Sequence, residues 1–122
     1  MYQAAAALKT FFSGFGLPAY AADSVPEDVT LPYIAYSLNV AEWDRKASVY
    51  VQVWDRTKSN TKIIQTADQI TAAIGDGGKK IPINGGYLVI WLESPLTQVM
   101  VDGDFRSAYI NLSINSYHLP GV

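Results

Sequence analysis

Residues Arg106 to His118 read RSAYINLSINSYH. Ala108, Ile110, Leu112 and Ile114 alternate with Tyr109, Asn111, Ser113 and Asn115. Successive side chains of a strand point to opposite faces, so this stretch has one apolar face and one polar face. A helix would scatter the same apolar residues around its circumference. A long strand that is apolar on one side only belongs in an antiparallel sheet with one covered face. The other face is left for water or a partner.

The stretches before it fit that sheet. Tyr87 to Glu93 is apolar on both faces, Tyr87, Val89 and Trp91 against Leu88, Ile90 and Leu92, which predicts a central or covered strand. Ser94-Pro95 is expected to break it, with Thr97 to Val101 as the next strand. Asp102-Gly103-Asp104 then turns the chain into the final strand. Leu31 to Asn39 and Ala47 to Trp54 alternate in the same way and predict two earlier strands. The link between them, Val40 to Lys46, is charged around Trp43. A short strand from Ile81 to Ile83 is bounded by Asp76-Gly77-Gly78 and Asn84-Gly85-Gly86.

Two helices complete the expectation. Leu8, Phe11, Phe12 and Phe15 make one apolar face over residues Tyr2 to Phe15, ended by Gly14, Gly16 and Pro18. Ile63, Ala67, Ile70 and Ile74 recur at four, three and four, with Thr57, Ser59 or Asn60 placed to cap the helix. Gly16 to Thr30 reads as a connector tethered by Leu17, Tyr20 and Val25. The predicted fold is therefore α+β: one domain over residues 1–122, a mainly antiparallel sheet with helices packed on one face.

Composition limits the function. The chain has 122 residues, enough for one hydrophobic core, and a net charge of −2, which argues against a broadly basic nucleic-acid surface. It has no cysteine, which removes disulfides, thiolate metal sites and cysteine nucleophiles together. No apolar run reaches the roughly 18–20 residues of a membrane span. Ala19-Tyr20-Ala21 imitates a signal-peptidase site, but no basic residue precedes the apolar stretch and Lys9 sits inside it. Eight tyrosines and three tryptophans are many for this length and suit surfaces buried against partners.

Motifs that carry chemistry do not assemble. Around Gly75 to Lys80, Ala73 stands where a phosphate loop needs its first glycine, and the run follows a helix. Asp102-Gly103-Asp104 lacks the ligand series of an EF-hand. His118 is the only histidine, so a triad or two-histidine metal site would need another chain or other ligand types. Asn111-Leu112-Ser113 matches a glycosylation pattern inside a predicted strand. The sequence thus predicts no catalytic, cofactor or metal site, and no enzyme.

The order of elements resembles a tailed-phage family, the siphophage tail terminators or tail-completion proteins of minor capsid type. The carrying residues are Phe15-Gly16-Leu17-Pro18-Ala19-Tyr20, Val25-Pro26, Leu31-Pro32-Tyr33-Ile34-Ala35-Tyr36, and Val51-Gln52-Val53-Trp54-Asp55-Arg56 before the helix from Lys58 to Ile74. Pro95, Gln98, Asp102 and the strand Arg106 to Tyr117 close the pattern. The resemblance implies a structural subunit that forms a ring, usually a hexamer. The ring caps the tail tube, ends tube polymerisation and offers a joining surface to the head–tail connector protein. Its partners would be other copies of itself, the tail tube protein and the connector, with no membrane contact, no sequence-specific nucleic-acid binding, and a ring open to the passage of DNA. The place implied is the head-proximal end of the tail, assembled in the host cytoplasm. The alternatives are a head-proximal neck component, or a non-enzymatic module that binds a ligand or peptide. Candidate subunit or tube contacts are Trp43 and Arg45 in the charged link, and Tyr109, Asn111 and Ser113 on the polar face.

Overall fold

The alternation around Ile110 forms an inner strand. The computed structural model describes residues 2–39, 47–56 and 59–118. Among these, the elements run α1 (Tyr2–Phe12), a short 3-10 turn (Ser13–Phe15), β1 (Ala19–Ala21), β2 (Tyr33–Asn39), β3 (Ala47–Arg56), α2 (Thr61–Ile74), β4 (Lys79–Ile83), β5 (Gly86–Asp102) and β6 (Phe105–His118). The strands make one sheet in the order β1-β2-β3-β6-β5-β4. Every pairing is antiparallel except β1 with β2. The molecule is thus a mixed fold of two helices and a predominantly antiparallel sheet.

Register explains which side chains are buried. Leu112 lies between Val49 of β3 and Leu92 of β5, and Ile114 between Ala47 and Ile90. Opposed residues share a face, so the apolar sets of adjacent strands form one continuous surface. Val49, Val51, Val53, Leu88, Ile90, Ala108 and Ile110 are fully buried, and Leu112 and Ile114 almost so. Ile63, Ala67, Ile70 and Ile74 of α2 join the same core, as do Ala4, Leu8 and Phe12 of α1. Each large side chain taken out of water contributes about 1.5–3 kcal/mol.

Local chemistry sets the helix ends. The α-helix of α1 stops at Phe12, earlier than the apolar face suggests, and tightens to a 3-10 turn that ends at Gly16 with φ +82°. A left-handed residue at that position favours glycine. Phe12 still reaches the core, stacking on Tyr36 at 5.3 Å. In α2 the hydroxyl of Ser59 accepts the Thr61 amide at 3.2 Å, while the Asn60 side chain makes no cap and instead accepts from Arg106 at 3.1 Å. Thr57 lies outside the described residues.

Two further expectations change. Ser94-Pro95 does not end a strand: β5 continues to Asp102, and its register against β6 shifts between Leu92 and Thr97. The four residues Glu93 to Leu96 stand opposite Asn111 alone. Proline is tolerated there because β4 pairs only as far as Ile90, so the outer side of β5 owes no further hydrogen bonds to it. The second change is β1, a strand inside the expected connector. Its three residues pair parallel to β2, Ala19 beside Ile34 and Ala21 beside Tyr36. Alanines and one tyrosine give too short a pattern to declare a strand.

Candidate interaction surface

The odd-numbered residues of β6 face away from the core. Tyr109 stands opposite Gln52 of β3 and Gln98 of β5, Asn111 opposite Tyr50, and Ser113 between Ser48 and Trp91. This second face is a mosaic of aromatic and amide groups, because each strand alternates apolar-in with aromatic or polar-out.

Its groups hold one another. The Tyr50 and Tyr109 rings lie 5.6 Å apart, tilted by 32°. Burial, and then the neighbouring Tyr50, hold the Tyr109 phenol above its ordinary range. The Ser113 hydroxyl donates to Oε2 of Glu93 at 2.6 Å, the short distance typical of a bond to a carboxylate. Trp91 donates its indole N–H to Oδ1 of Asn115 at 3.0 Å. At the far end Tyr87 and Tyr117 stack at 5.1 Å, with the Lys80 ammonium 4.1 Å from the Tyr87 ring centre.

The irregularity in β5 shapes the middle of this face. The residues that bulge from Glu93 onward open a hollow of about 350 Å³, lined among others by Tyr50, Glu93, Ser94, Asn111 and Ser113. A carboxylate, a hydroxyl and an amide meet in it, offering hydrogen bonds to a polar or backbone-like group. Among the described residues, no three of His, Cys, Asp and Glu gather as a metal would require.

The structure brings together three of the five candidate residues. Tyr109 and Asn111 are half-buried, each with neighbours on the same face, and Ser113 is buried with its hydroxyl committed to Glu93. Trp43 and Arg45 lie outside the described residues. Sequence reasoning missed Glu93, which sits where a break was expected. Its signal was the proline between two apolar stretches, 87–92 and 99–101, of one strand, a common mark of a bulge. No family model and no curated protein matches the chain.

Proposed function

We propose that this chain is a structural subunit of a phage tail, forming a ring that caps the tail tube and presents a joining surface to the head connector. The reading rests on the sequence resemblance. The observation that supports it best is the second face of the sheet, an aromatic and amide mosaic that suits contact with other protein surfaces. Residues of both helices join one hydrophobic cluster with the apolar positions of the strands. We place the helices together on that apolar side, so that the face bearing Tyr109 and Asn111 is available to neighbours. A ring uses two different complementary patches per subunit, because its contacts are heterologous. The second-face mosaic serves as one, and the link carrying Trp43 and Arg45 as the other. Phage particles carrying a label on this chain test the reading: the label is expected at the head-proximal end of the tail, and a label in the head shell or the tail tip would overturn it.

The hollow beside Glu93 favours a second reading, a module that binds a peptide or small polar ligand. Particles without the label, together with saturable peptide binding that Glu93→Gln abolishes, would select it.

A further inference from the structure

Sheet edges attract other strands, and among the described residues two of the three edges are closed. β1 is only three residues long, and its outward carbonyls are taken. The Lys9 ammonium donates to the Ala19 oxygen, and the Ser24 amide donates to the Ala21 oxygen at 2.9 Å. β4 carries Lys79, Lys80 and Pro82, residues that discourage strand addition, and α1 lies against it.

The third edge is different. From Thr97 to Asp102, β5 pairs with β6 on one side, while β4 has ended its pairing at Ile90. No other strand among the described residues covers the outer side. This segment has no lysine, no proline and no charge before Asp102. Val99 is 40% exposed, Met100 48% and Val101 60%. Alternation sends Val99 and Val101 to one face and Met100 to the other, so the edge is apolar above and below.

We propose that the outer edge of β5, Thr97 to Asp102, adds a strand from a second copy of this chain, β5 pairing antiparallel with β5 about a twofold axis. The edge dictates the form of its occupant: outward amide and carbonyl groups in a row are satisfied by an extended backbone. The side chains dictate its character, uncharged and apolar on both faces. The same segment of a second copy meets both demands and is present at equal concentration. Charge then selects the direction. Parallel pairing in register would set Asp102 beside Asp102 of the second copy. Antiparallel pairing centred on Met100 sets Asp102 beside Gln98 of the second copy and Val99 beside Val101 of the second copy, with no like charges opposed. Such a contact is isologous and independent of the ring contacts proposed above. It leaves the face with Tyr109 and Asn111 open.

The natural absence of cysteine makes the test direct. Met100→Cys is expected to form a disulfide-linked dimer on mild oxidation, since the axis brings the two sulfurs together. Ile64→Cys, exposed on α2, is the control and is expected to stay monomeric. The unmodified chain is expected to sediment as a dimer at high concentration, and Val101→Lys as a monomer with an unchanged melting temperature. A chain that stays monomeric at high concentration overturns the proposal, as does cross-linking no stronger at Met100→Cys than at Ile64→Cys. Rings that persist unchanged in Val101→Lys, with no edge-linked dimer, overturn it too and leave the ring reading standing.

Discussion

Gly78 sits where a methyl group has no room. Its φ is +82°, and a Cβ there would lie 2.8 Å from Cε3 of Trp91 and 3.0 Å from Cγ1 of Val89. Trp91 cannot yield freely, because its indole N–H is bonded to Asn115. Gly78→Ala therefore combines backbone strain with overpacking, and a loss of about 1–3 kcal/mol is expected in denaturant unfolding. Unchanged stability would mean that the ring of Trp91 moves without cost. Tyr109 makes a prediction about pH. Its pKa is raised in the folded chain, first by burial and then by Tyr50, and burial raises Tyr33 and Tyr36 as well. A folded pKa above the unfolded one gives stability that is complete below the ordinary tyrosine range near 10 and is lost as pH climbs through the folded value. The melting temperature should thus fall above about pH 10, and less steeply in Tyr109→Phe. Parallel curves for the two proteins would remove Tyr109 from that loss.

At the scale of elements, β6 is the strand on which the others depend. It is flanked by β3 and β5, and α2 packs against it. Leu112 is 2% exposed at its middle, so Leu112→Asp would place an unpaired charge in the core and is expected to abolish the cooperative melting transition. A variant that melts like the parent would show that the wrong face was assigned to the core. β6 was legible in the sequence because period-two alternation over many residues has one reading. The α2 face was legible for the same reason at a period of 3.6. What stayed hidden depended on partners distant in the chain. β1 is a strand only because β2 lies beside it. The run through Ser94-Pro95 stays a strand because β4 stops short, which makes that side of β5 an edge. Of the candidate surface, the alternation exposed Tyr109 and Asn111. It could not show that Ser113 is tied to Glu93, because that bond spans two strands joined by a register shift.

At the scale of the molecule, the proposed function asks the second face of the sheet to meet other subunits. A standard contact covers roughly 800 Å² per partner, much of such a face. Ring contacts of that size can be weak between free subunits and still close on a tube end, where repeated sites raise the effective concentration. That would keep free subunits from sealing against one another before the tail is complete. The central claim is that this ring ends tube growth, and electron microscopy of phage lacking the gene tests it most directly. The account predicts overlong or uncapped tubes, unattached to DNA-filled heads. Tails of normal length beside heads that leak DNA would contradict it and assign the chain to the head-side neck.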